Sequence, residues 1–172
     1  MRIVNLRNNK VLVAQYNPDR LEEEIGSEWS KLDVNGNSHQ KLQFRRTNNL
    51  VLTFTLQFVA QTRIEMVRLH EARRTIHSWA YPRNVSNDIV GGGASRLLFI
   101  WPGMWSIETV AMRAKLTHNR FNVQARSVAF DATITLEEIR DFRITFGDVL
   151  EDNVLRFGNP DLEAAFGIEG TV

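Results

Sequence analysis

The chain has 172 residues, 43% apolar and 24% charged, with 21 basic side chains against 20 acidic ones. That is the length of one ordinary globular domain, and the balanced charge offers no bulk attraction for nucleic acid or an anionic membrane. The absence of cysteine excludes disulfides, thiolate metal sites and a cysteine nucleophile, and suits a chain made in a reducing cytoplasm.

The N-terminal stretch "MRIVNLRNNKVLVAQYNP" lacks an apolar core of signal-peptide length, and no segment approaches the ~18 continuous apolar residues of a membrane span, so no membrane partner is expected. "RIVNL" and "VLVAQY" flank "RNNK" and predict a first hairpin. The turn motif Gln15, Tyr16, Asn17, Pro18 then ends the strand, because Pro18 has no N–H and Asn17 supports a turn. From there "LEEEIGSEW" is expected to re-enter the sheet. "DVNGNSHQ" follows as a polar segment between strands, where a protruding loop is expected.

In "NLVLTFTLQFVAQ", Leu50, Leu52, Phe54, Leu56 and Phe58 share one parity and Thr53, Thr55 and Gln57 the other. This predicts a long half-buried strand. Helical spacing of Ile64, Val67, Leu69, Ala72, Ile76 and Trp79 predicts one helix over about 63–80, opened by a Thr62/Glu65 capping box and closed before Pro82. After the loop "RNVSNDIVGGGAS", the run "RLLFIWP" suits a strand buried on both faces. "MWSIETVAMRAKLT" changes parity, from Trp105 and Ile107 to Val110, Met112, Ala114 and Leu116, which predicts a β-bulge near Glu108–Thr109. "HNRF" is read as the turn into "NVQARSVAFDATITLEEI", whose "SVAFDATITLEEI" places Val128, Phe130, Ala132, Ile134 and Leu136 inward. The elements add up to an antiparallel β domain with one helix packed on it, and its sheet edges invite pairing with other chains.

Catalytic signatures are weak. His70 and His77 stand seven apart with Arg73 and Arg74 between them, against the i, i+4 spacing of zinc-binding helices. Gly91–Gly93 lead into a strand, whereas a phosphate loop opens a helix. The carboxylate runs have the pattern of solvated charge, and no G-x-S-x-G elbow occurs. The arginines of the helix read as a solvated face, and Trp79 and Trp101 as core. No enzyme, cofactor, metal or sequence-specific nucleic acid is expected. One reading of the residues themselves is a small ligand- or glycan-binding β domain, or a hydrolase, with a cleft lined by Trp105, Tyr81 and the carboxylates of "EEE".

The order of these segments resembles a family of phage-tail and contractile-injection-system proteins related to the inner tube. Ala14, Gln15, Tyr16, Asn17, Pro18, Asp19 and Leu21 stand where that family has Phe-Gln-Tyr-Asn-Pro-Glu-x-Leu. "LVLTFTLQF", "LLFIWP", "MWSIETVAMRAKL" and "FNVQARSVAFDATITLEE" follow in the family's order, over roughly residues 10 to 140. Two features depart from the family. The stretch after the last strand is too short for the LysM module of baseplate adaptors, and the loop from Asn84 to Ala94 has no counterpart.

The resemblance implies a mainly β (α+β) fold, an antiparallel β-sandwich or partly closed barrel of the tail-tube type with one flanking helix. A tail-tube-like domain would span 1–146 and an extension docking on a neighbouring subunit 147–172. It further implies a virion protein made in the bacterial host cytoplasm. Its partners would be copies of itself in a sixfold ring and the tail tube, hub and baseplate proteins. The role would be a baseplate-proximal ring that templates the tube. Expected assembly contacts are Asn35, Gly36 and His39 in Lys31–Gln40, Asn87 and Gly92 in Arg83–Ala94, and Leu162 and Phe166 in the tail after Gly147.

Overall fold

The computed structural model describes residues 1–33, 35, 38–81 and 93–140. Among these the chain is mainly β, antiparallel throughout, with one helix. The strands are β1 (Arg2–Asn5), β2 (Lys10–Val13), β3 (Leu21–Glu24), β4 (Ser27–Leu32), β5 (Lys41–Thr47), β6 (Val51–Val59), β7 (Arg96–Trp101), β8 (Trp105–Phe121) and β9 (Ser127–Glu138), and the helix is α1 (Arg63–Trp79). Seven strands form one sheet in the order β2-β1-β7-β8-β9-β6-β3, while β4 and β5 pair only with each other.

The alternating strand is β6, and the four residues of its apolar parity, Leu52, Phe54, Leu56 and Phe58, are buried, as is Leu50 just before it. It lies antiparallel to β9, with Phe54 opposite Ile134 and Leu56 opposite Ala132. On the outer face the matching polar parity forms a hydroxyl ladder, Thr53 to Thr135 at 3.3 Å and Thr55 to Thr133 at 3.1 Å. The sheet curls on itself. Phe54 of β6 meets Phe99 of β7 with ring centroids 5.4 Å apart, although β8 and β9 lie between those strands.

One core fills the curl, joining Ile3, Leu52, Phe54, Leu97, Phe99, Ile107 and Phe130 to Leu69, Ile76 and Trp79 of α1. β7 is buried on both faces, as its unbroken apolar run predicts. Leu97 and Phe99 enter this core, while Leu98 and Ile100 join Val4 in a smaller cluster on the other side. Between β7 and β8, Trp101 accepts from the Met104 N–H at 3.0 Å, with Gly103 at φ +78°. Pro102 followed by a glycine with positive φ is the chemistry of a type II turn.

The helix begins at its predicted capping box. The Glu65 N–H donates to Thr62 Oγ1 at 3.2 Å, and the Glu65 carboxylate accepts from the Thr62 N–H at 3.0 Å and the Gln61 N–H at 2.8 Å. Those backbone donors, Gln61 first, hold the Glu65 carboxyl below its ordinary pKa. Thr62→Ala is therefore expected to cost about 1 kcal/mol in urea denaturation. Glu65→Gln should cost less, since the amide oxygen still accepts.

Four local expectations need correction. The buried stripe of α1 is Leu69, Ala72, Ile76 and Trp79, whereas Ile64 and Val67 are exposed. At 100° per residue those two point well away from the stripe. The bulge of β8 lies at Met112, where the register against β9 shifts between Ala111 and Arg113, and not near Glu108–Thr109. Ile107, Thr109 and Ala111 keep the first parity, Ala114 and Leu116 take the second, and Met112 is left exposed. "HNRF" is not the turn. β8 runs on to Phe121, and the chain reverses over Asn122–Arg126, where Asn122 Oδ1 accepts from the N–H groups of Gln124 and Arg126 and Ala125 takes φ +57°. The inward parity of β9 holds from Phe130 to Leu136, while Ser127 and Ala129, not Val128, are buried at its start.

Candidate functional site: a projecting arm and two open edges

The segment "LEEEIGSEW" does two different things. Leu21–Glu24 re-enters the sheet on the edge of β6, Leu21 opposite Phe54. Ser27–Leu32 leaves it again and pairs with β5. Strands β3–β4 and β5–β6 are thus one long hairpin, broken at Gly26 and Asn48, where the Asn48 N–H still donates to the Gly26 carbonyl at 2.8 Å. The outer half is an arm about 20 Å long.

One face of the arm is apolar. Trp29 lies opposite Phe44 and Lys31 opposite Leu42, so these four project the same way. The rings of Trp29 and Phe44 meet edge to face at 5.4 Å, yet Trp29 is 54% exposed, Phe44 51% and Leu42 62%. An arm pair near the sheet, Glu28 and Arg46, is bridged at 2.7 Å, which holds the Glu28 carboxyl below its ordinary pKa. A free two-stranded ribbon is marginal in water, and a contiguous exposed apolar patch is characteristic of an interaction surface.

Of the expected assembly residues, Asn35 and His39 sit at the tip of this arm, between β4 and β5. Gly36, Asn87, Gly92, Leu162 and Phe166 lie outside the described residues, as do most of Arg83–Ala94 and all of 147–172. Sequence reasoning passed over Trp29, Leu42 and Phe44. Their signal was present: "KLQF" alternates apolar and polar in an otherwise charged stretch, at a distance from any helix that would cover it.

The turn motif has a defined task. The Gln15 side-chain amide donates to the Val59 carbonyl at 2.9 Å, and the Val59 N–H donates to Gln15 Oε1 at 2.8 Å. Asn17 Oδ1 accepts from the Met1 amine at 3.1 Å. The motif therefore carries the chain from β2, one edge of the sheet, across to β3, the other. A groove of about 940 Å³ opens beside it, floored by Leu12, Phe58, Leu69 and Ala72, with Lys10, Arg68 and Glu71 on its sides.

The residues of the rival cleft do not come together in it. Trp105 is in the core, Tyr81 is exposed beyond the helix, and Glu22–Glu24 lie along β3; none of them lines the groove. A Ser–His contact that sequence reasoning did not raise joins Ser127 Oγ and His118 Nδ1 at 2.7 Å. The nearby Asp131 accepts instead from Asn119, at 2.6 Å. Among the described residues no cluster of three or more His, Asp or Glu side chains is arranged to hold a metal ion, and no helix is long and apolar enough to cross a membrane.

His118 packs against Phe130 and Phe121. Burial lowers its pKa from 6.5, and the positive charges of Arg73, His77 and His70 on the facing helix add to that. With the folded value depressed, the unfolded chain binds the proton first as pH falls. Its contribution to stability is present above 6.5 and is lost as pH drops from there through the folded value. Thermal melts between pH 7.5 and 5 should show this fall, and His118→Gln should flatten it. Glu138, whose carboxyl burial raises despite its Arg140 partner, acts with the opposite sign at more acid pH.

No protein-family model matches this chain, and a search of curated proteins finds no match.

Proposed function

We propose that this chain is a structural subunit of a phage tail or related injection machine. It forms a baseplate-proximal ring that connects the hub to the tail tube and templates tube assembly. The observation that carries the reading is the β4–β5 arm, which presents Trp29, Phe44 and Leu42 outward with no cover among the described residues. A chain that projects half-exposed aromatic residues on a ribbon gains by burying them on a neighbour.

The rest of the fold supports this reading. A curled antiparallel sheet with one helix suits the β-sandwich or partly closed barrel of the tail-tube type, and the turn motif resembling the tube family joins its two edges. The partners are copies of the chain in a sixfold ring and the tube, hub and baseplate proteins, and the location is the virion. The function is templating, with no turnover.

A tagged pull-down from the producing lysate, imaged by electron microscopy, tests it. Rings or tail particles holding the chain at fixed stoichiometry are the expected result. A homogeneous monomer without tail proteins in mass spectrometry would overturn it.

The groove between β2 and α1 favours a second reading, a binding domain for a small ligand or glycan. Saturable binding of cell-wall fragments, abolished by Arg68→Ala, would support that reading over the scaffold.

A further inference from the structure

Strand β3 covers only Val51–Phe54 of β6. Beyond it Thr55, Gln57 and Val59 turn their backbone N–H and C=O groups toward the same edge, by the alternation of an antiparallel ladder. Among the described residues the one group hydrogen-bonded to this stretch of edge is the Gln15 side chain, at Val59. A side-chain amide that both donates to and accepts from one residue does the work of a peptide group in a neighbouring strand. It holds a strand's place with a single residue.

Gln15 lies two residues beyond the end of β2, the opposite edge of the same sheet, so the contact ties the two open edges together. Those edges differ in charge. β3, which lies along the β6 edge, carries Glu22, Glu23 and Glu24, while the β1–β2 hairpin carries Arg2, Arg7 and Lys10. An edge that closes on its own chain can close equally on the matching edge of another.

We propose that Gln15 is a releasable latch. The Thr55–Val59 edge accepts the β2 strand of a second copy, and the Gln15 amide occupies that edge until the strand arrives. This rests on the self-assembly reading and deepens it. Every copy offers one basic β1–β2 hairpin and one neutral acceptor stretch flanked by the acidic β3, so the contact is head to tail and repeats from copy to copy. The latch keeps the free subunit from adding strands at random.

Sedimentation velocity over a concentration series tests the latch with wild type, Gln15→Ala and Gln15→Glu, the last of which loses the donor to the Val59 carbonyl. Both variants should assemble at roughly tenfold lower concentration than wild type, a modest release on the scale of an exposed hydrogen bond. Hydrogen exchange should slow at Thr55–Val59 on assembly. A second variant, Gln15→Cys with Val59→Cys, supplies the chain's only thiols and is joined by a short bis-maleimide. Tied shut, it should remain monomeric at concentrations where the untied form assembles. If wild type assembles but the Gln15 variants need the same or a higher concentration, or the tied form assembles as readily, the latch is overturned while the self-assembly reading stands. If none of the forms associates at any concentration, both fall.

Discussion

Phe130→Ala is expected to remove about 3–5 kcal/mol of folding free energy, the range for deleting a large buried aromatic ring. Phe130 is fully buried on β9. It stacks on Phe58 at 5.0 Å and touches the His118 ring at 5.6 Å, so it joins β6, β8 and β9 at the end of the curl that the helix covers. The loss has three parts: the transfer energy of the ring, the stacking on Phe58, and a cavity that two flanking strands cannot easily collapse. Against a typical domain stability of about 5–15 kcal/mol this is a large share. Guanidinium denaturation should show a lower midpoint at nearly unchanged slope. Phe121→Ala, at an exposed ring on the same hairpin, should stay within about 0.5 kcal/mol. A loss at Phe130 below about 1 kcal/mol would mean that the interior closes around the missing ring, contrary to the packing described.

The parts of this fold that are legible in the sequence are those where one rule acts alone. In β6 and the greater part of β9 a single face meets the core, so period-two alternation names the buried residues directly. Thr62 and Glu65 mark the start of α1 because capping is a local exchange between a side chain and a backbone N–H. The unbroken run in β7 likewise announces burial on both sides.

Where two rules compete, the sequence names the conflict without placing it. The parity change in β8 requires an extra residue, but several positions satisfy the pattern, and only the pairing with β9 selects Met112. The β8–β9 turn lies at Asn122–Arg126 because Asn122 accepts there from two backbone N–H groups, a geometry that no pattern of apolar residues reports. Ile64 and Val67 resemble core residues by type, although their angle on the helix places them outside.

The candidate site was half visible. Its loop between strands was expected, and Asn35 and His39 are at its tip. The arm beneath was not expected: "KLQF" announces a strand with one apolar face, but its alternation does not say whether that face meets the core or projects from it. The Gln15–Val59 contact joins residues 44 apart through one polar side chain, and no periodicity carries such a signal.

The double variant Trp29→Ser, Phe44→Ser separates folding from assembly most sharply. Both rings are about half exposed and touch chiefly each other, on a ribbon that lies outside the seven-stranded sheet. Losing that edge-to-face pair removes about 0.5–1.5 kcal/mol of local ribbon stability, and the cooperative unfolding of the core should keep its midpoint. In an interface the same two rings are anchors, and truncating a buried aromatic anchor costs about 2 kcal/mol or more. Two together should weaken association by about a thousandfold, at 1.4 kcal/mol per tenfold. The expected result is therefore a normally folded chain by circular dichroism and thermal melting that stays monomeric in sedimentation and is missing from any particle. Lys31→Ala, on the same face but polar, should change the salt dependence more than the affinity. If the double variant assembles like the wild type, the arm is not the contact, and the reading built on it fails with it. If instead the core unfolds at lower temperature, the arm folds back on its own chain and its exposed face has a structural task.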